Sequence, residues 1–60
     1  MNLLSLSMGA RLRARRKSMG LSLKDVAERA GVSVGYLSQI ERDISSPSVK
    51  DLMEISRSLG

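Results

Sequence analysis

VAERAGVSVGYLSQIER, residues 26–42, contains two short helical patterns separated by a three-residue break. Val26, Ala27 and Ala30 recur at the spacing of one helix face, and Leu37 and Ile40 do so again after the break. Only Gly31, Val32 and Ser33 join them. Gly31 can take a positive φ without steric cost. Val32 is apolar inside the turn and can fill the gap between helices, and Ser33 suits an N-cap. Ala27 is small enough for two helix axes to approach closely. A connection this short, opening with Gly, makes two helices cross steeply, which is the geometry of a helix-turn-helix. Leu37 and Ile40 then pack back onto Val26 and Ala30.

The same punctuation extends in both directions. Ser7, Ser22, Ser33 and Ser48 each precede an apolar run, as N-cap residues do. Gly20, Gly31 and Gly60 follow helical patterns, where a left-handed C-cap residue sits. Asp25 and Asp51 stand three residues after Ser22 and Ser48, so both pairs resemble capping boxes. Four helices follow: residues 8–18 with Met8 and Leu12 on one face, residues 23–30 with Leu23, Val26, Ala27 and Ala30 inward, residues 34–42, and residues 49–59. Val49, Leu52, Met53, Ile55 and Leu59 form the apolar stripe of the last. No segment alternates at period two, so the fold class is all-α with no sheet. The segment Asp43 to Pro47 is the longest loop, and neither a repeat nor a low-complexity linker interrupts the chain.

Sixty residues make one domain, with residues 9–60 as its body and residues 1–8 as an N-terminal extension. A chain this short buries only about 60% of its unfolded surface and is marginally stable. It contains no Cys and no His, which excludes a zinc finger, a His-based catalytic site and a thiol nucleophile. No nucleophile–base pair and no metal-ligand cluster is present, so an enzyme, a metal and a cofactor are all unexpected. The net charge is +4 and uneven. Arg11, Arg13, Arg15, Arg16 and Lys17 all lie within residues 1–20, while every acidic residue lies beyond. That asymmetry suits a polyanion, either nucleic acid or an anionic membrane, or simply a solvated helix face. Met1 to Met8 lacks the basic start and the apolar length of a signal peptide. No run approaches the roughly 20 apolar residues of a membrane span. A soluble, cytoplasmic protein is expected, with no membrane partner.

RLRARRKSMGLSLKDVAERAGVSVGYLSQIERDISSPSVKDLMEISRSLG, residues 11–60, resembles the family of phage repressor and Cro-like helix-turn-helix regulators. GVSVGYLSQIER is its most specific part, and the likeness runs from Gly9 to Gly60. The resemblance implies a compact, lambda-repressor-like domain of five helices whose third helix enters the DNA major groove. Four helices fit in this chain and the fifth falls beyond Gly60. Relatives with this ending often continue into a ligand-sensing domain such as a cupin, so a C-terminal effector domain is a further expectation. The resemblance also implies a partly buried ion pair between Arg16 and Glu41, against the alternative of two independent surface charges. Four positions depart from the family pattern. Asp43 replaces the usual Gly, although Asp tolerates a left-handed conformation. Leu23 replaces a Gln that commonly binds phosphate. Val34 and Gly35 replace residues that are often polar.

Placing the third helix in the groove assigns its outer residues. Gln39, opposite Leu37 and Ile40, can bond adenine N6 and N7 bidentately, or it is an ordinary exposed Gln. Ser38 can bond a base or a phosphate. Val34 can touch a thymine methyl, and Gly35 lets the backbone approach the DNA. Ser33 is an N-cap that can also meet a phosphate. Tyr36 either reaches a phosphate or covers the core edge, and Arg42 suits both a phosphate and the helix dipole. Arg15 is expected to lay its stem beside Leu12 with its head in solvent.

The function expected is sequence-specific binding of double-stranded DNA by a transcriptional regulator, a repressor first, acting as a homodimer on two half-sites. The alternative is a protein-interaction module of the same fold, of the antitoxin or coactivator type. An amphipathic basic helix on an anionic membrane is a third reading, opposed by the pattern of four capped helices.

Overall fold

Four serines start four helices. In the computed structural model, which describes residues 6–60, the helices are α1 Met8–Ser18, α2 Leu23–Ala30, α3 Val34–Glu41 and α4 Val49–Ser58. Each Ser Oγ accepts a backbone N–H three residues on: Ala10 on Ser7, Asp25 on Ser22, Tyr36 on Ser33 and Asp51 on Ser48, at 3.0–3.2 Å. These bonds satisfy donors that a helix start leaves unpaired. Helices α3 and α4 stop one residue before the expected ends, because Arg42 and Leu59 are the C-caps. Of the extension expected over residues 1–8, residues 1–5 lie outside the described residues, and Ser7 and Met8 are the N-cap and first residue of α1.

Only one of the two capping boxes closes. The Asp25 carboxylate accepts the Ser22 backbone N–H at 2.8 Å. The Asp51 carboxylate instead accepts the Tyr36 hydroxyl at 3.0 Å. Between α2 and α3, Gly31 holds φ 72°, and after α3 Asp43 holds φ 60°. The first suits glycine. The second is the left-handed position that Asp was expected to tolerate.

The core is one cluster: Val26, Ala27 and Ala30 from α2, Leu37 and Ile40 from α3, Ile55 from α4, and Leu59. Leu12, Leu21, Leu23, Val32 and Tyr36 pack against it. Helix α2 meets both α3 and α4, while α1 meets α3. Two expected faces are corrected. The α1 residues that bury are Gly9 and Arg16, and Met8 stays 48% exposed. Side chains step about 100° per residue around a helix, and α1 meets α3 through the Gly9 side, one step from Met8. On α4, Ile55 buries and Leu52 is half-buried, but Val49 and Met53 are 78% and 50% exposed. One partner helix covers one stripe; Met53 lies two steps from Ile55, nearly opposite it.

Candidate nucleic-acid interface

Burial of Leu37 and Ile40 fixes the rotation of α3 and leaves its other face outward. Val34, Gly35, Gln39 and Arg42 are exposed there, and Ser38 is half-buried. A Cβ added at Gly35 meets no atom within 4 Å. The Gln39 carboxamide is braced from the following loop: its Oε1 accepts the Ser45 hydroxyl at 2.9 Å. The Gln39 backbone carbonyl accepts the Ile44 and Ser45 N–H groups at 2.9 and 3.3 Å. Arg42 bends back so that its Nε donates to the Ser38 carbonyl at 3.3 Å. Ser33 Oγ caps α3 as an acceptor and keeps its own proton to donate. Tyr36 is half-buried against the core, and its hydroxyl donates to Asp51. Partial burial, then the Asp51 carboxylate, raise its pKa above the ordinary phenol value. The structure therefore gives Tyr36 the core-edge position.

The end of α3 is anchored to α1 by two sets of contacts. Arg16 Nε and Nη2 donate to the two carboxylate oxygens of Glu41 at 2.8 and 3.0 Å, and Nη1 donates to the Leu21 carbonyl at 2.9 Å. Both residues are 7% exposed, so the expected pair forms and is buried. The hydrogen bonds that Arg16 donates to Glu41 raise its pKa against the opposing effect of burial. A forked, doubly bonded pair fixes angle as well as distance.

The second set escaped the sequence reading. The Asp43 carboxylate accepts the Gly9 backbone N–H at 3.1 Å and the Ser7 hydroxyl, joining the start of α1 to the end of α3. An anion at a helix N-terminus is favourable. Gly9 permits the approach, since a Cβ there would stand 2.7 Å from the Glu41 carbonyl oxygen. Arg15 is exposed, as expected, but its Nε also donates to the Leu59 carbonyl at 3.0 Å and ties α1 to the end of α4. A glycine near a helix start, where helix propensity disfavours it, was the one local signal of these contacts.

Among the described residues, no group of His, Cys, Asp and Glu is placed to hold a metal ion. No described helix is long and apolar enough to cross a membrane.

Comparisons with known proteins bear on this geometry. The family model described as Helix-turn-helix matches residues 12–60. The transcriptional regulator SinR of Bacillus subtilis (strain 168) is 44% identical over 50 residues, covering 82% of this chain and 45% of SinR. The immunity repressor protein of Bacillus phage phi105 is 38% identical over 55 residues, covering 92% of this chain and 38% of the repressor. The chain thus spans less than half the length of these relatives. Among solved structures, the P22 c2 repressor in complex with a synthetic operator aligns with a TM-score of 0.87 and 34% identity, over 92% of this chain and 83% of that one. The turn at Gly31, the crossing of α2 and α3, and the buried arginine–glutamate anchor all fall inside the matched region, and the chain belongs to the helix-turn-helix family, in its phage repressor and Cro-like branch.

Proposed function

We propose that this chain is the operator-reading part of a transcriptional regulator and binds duplex DNA sequence-specifically, with α3 in the major groove. The observation that carries the reading is a helix with one face locked to the core and to α1 while the other stays open. The SinR and phi105 relatives are a transcriptional regulator and an immunity repressor, and the P22 structure is a repressor with its operator. Repression is accordingly the activity proposed, in the cytoplasm, by a homodimer on two half-sites. An effector domain following this segment supplies the regulation.

In this reading Gln39 meets an adenine edge, and Ser45 holds its carboxamide ready. Val34 touches a thymine methyl, Ser38 bonds a base or phosphate, and Gly35 lets the backbone come close. Ser33 and Arg42 take phosphates, which position the domain without reading sequence. Tyr36 keeps α3 seated on α4.

Selection of bound duplexes from a random pool, then titration of Gln39→Ala and Arg42→Ala, tests the assignment. Gln39→Ala should lose roughly 1–3 kcal/mol on the selected site and almost nothing on random duplex. Arg42→Ala should weaken both and lower the salt slope by about one unit. Equal weakening of both duplexes by Gln39→Ala removes Gln39 as a base reader. No duplex binding by the wild-type chain at low salt defeats the DNA reading in favour of a protein-interaction module, whose affinity would be insensitive to salt.

A further inference from the structure

Arg13 and Arg42 reach the same open recess, of about 190 Å³, from two different helices. Arg13 comes from α1 and Arg42 from the C-cap of α3, with Ser38 beside it and Leu23 forming the wall at the start of α2. Glu41 is the one carboxylate in the recess, and Arg16 already neutralises it through two hydrogen bonds. Three guanidinium groups therefore face one carboxylate, and the recess carries surplus positive charge. Leu23 has no polar side-chain atom, and the Ser22 backbone N–H is occupied by the Asp25 carboxylate.

The basic residues of α1 also divide by side. Arg11 and Arg15 line the groove between α1 and α4. Arg13 and Lys17 lie on the Glu41 side. We propose that Arg13 is a ligand for a DNA backbone phosphate seated in this recess, opposite Arg42 and at the flank of α3. The proposal rests on the DNA reading above. With α3 in the groove, the helix before it crosses the sugar–phosphate backbone, which puts a phosphate beside the start of α2, where the recess opens. A guanidinium fork matches two phosphate oxygens. Arg42, held only by a long bond to the Ser38 carbonyl, can turn to the same anion.

The test compares two arginines of equal charge on opposite sides of α1. Wild type, Arg13→Ala, Arg13→Gln and Arg11→Ala are titrated with random duplex across a salt series, with circular dichroism confirming the helices of each. Both Arg13 variants should weaken binding roughly tenfold, the loss of one charge-assisted hydrogen-bonded contact, and flatten the salt slope by about 0.9. Arg11→Ala should stay within about twofold at moderate salt, where unpaired charges are screened. Equal losses at Arg11 and Arg13 overturn the proposal, since net charge alone would explain them. An unchanged slope in the Arg13 variants overturns it too, with the DNA reading left standing. Only a wild type that binds no duplex would bring down the DNA reading as well.

Discussion

Gly9 and Gly35 both stand in the first turn of a helix, and the surrounding atoms give them opposite roles. A methyl group at Gly9 would collide with the Glu41 carbonyl and the Asp43 carboxylate, both 2.7 Å from its position. At Gly35 nothing lies within 4 Å. Alanine in a helix interior is favoured over glycine by roughly 0.5–1 kcal/mol, because glycine loses more backbone freedom on folding. Gly35→Ala should therefore stabilise the chain by about that amount. Gly9→Ala should destabilise it by about 1–3 kcal/mol, the usual cost of forcing an extra methyl into a tight contact. Urea unfolding of the two variants measures both signs at once. Duplex titration adds a second reading at Gly35: if the backbone approaches DNA there, the stabilised variant binds more weakly than wild type. A Gly35→Ala chain that is more stable and binds equally well would free position 35 from any role in the interface.

At the scale of the helices, α3 is aimed by its ties to α1 more than by its own length. The Arg16–Glu41 pair joins α1 to the last residue of α3. Breaking a buried pair by removing one partner costs about 3–5 kcal/mol, because the remaining charge is stranded. A 60-residue chain has a total stability of roughly 3–9 kcal/mol, from about 0.05–0.15 kcal/mol per residue. Arg16→Ala or Glu41→Ala alone should leave the chain largely unfolded at 37 °C. The double variant Arg16→Met with Glu41→Leu should recover most of the loss by packing apolar groups in the same space. Urea unfolding of all three decides, and additive losses would show that the two residues do not act as a pair. The start of α2 is governed differently. The Ser22 backbone N–H, then its hydroxyl, hold the Asp25 carboxyl below the usual carboxylate range. A depressed folded-state pKa means a contribution present in full above the unfolded value of about 3.9 and lost as pH falls through the folded one. Wild type should therefore melt above Asp25→Asn at pH 6, with the gap narrowing below about pH 4. A gap that is constant from pH 6 to pH 3 would mean that the carboxylate charge contributes nothing to the cap.

For the molecule as a whole, legibility in the sequence followed distance along the chain. The serine caps, Gly31 and the apolar spacing act within a few residues, so all four helices fell within one residue of their expected ends. The outward residues of α3 were readable for the same reason, since Leu37 and Ile40 fix its rotation from within. Gly9 against Asp43, and Arg15 against Leu59, join residues 34 and 44 apart. No local pattern encodes such pairs, and so the burial of Gly9 was missed and Met8 was placed inward with Leu12, although only Leu12 packs on the core. The Tyr36 hydroxyl likewise donates to Asp51 on another helix, a partner that no local pattern indicates. Under the proposed DNA reading, the folded chain presents one reading helix with its flanking cations, a small surface: single DNA-binding modules bury roughly 600–1,000 Å². Weak binding by one copy is then expected, and strength must come from pairing two copies on one duplex. Joining two copies by a flexible Gly/Ser linker of about 40 residues spans roughly 35 Å, the separation of half-sites one helical turn apart. The second binding event becomes intramolecular, and avidity should rise by about 10²–10⁴ on a duplex carrying two half-sites. On a duplex carrying one half-site and one scrambled copy, the gain should be far smaller, because the second domain finds only non-specific contacts. Gel-shift titration of the single and tandem chains on both duplexes measures the difference. If the tandem chain gains equally on both, its added affinity comes from charge alone and the half-site arrangement is wrong.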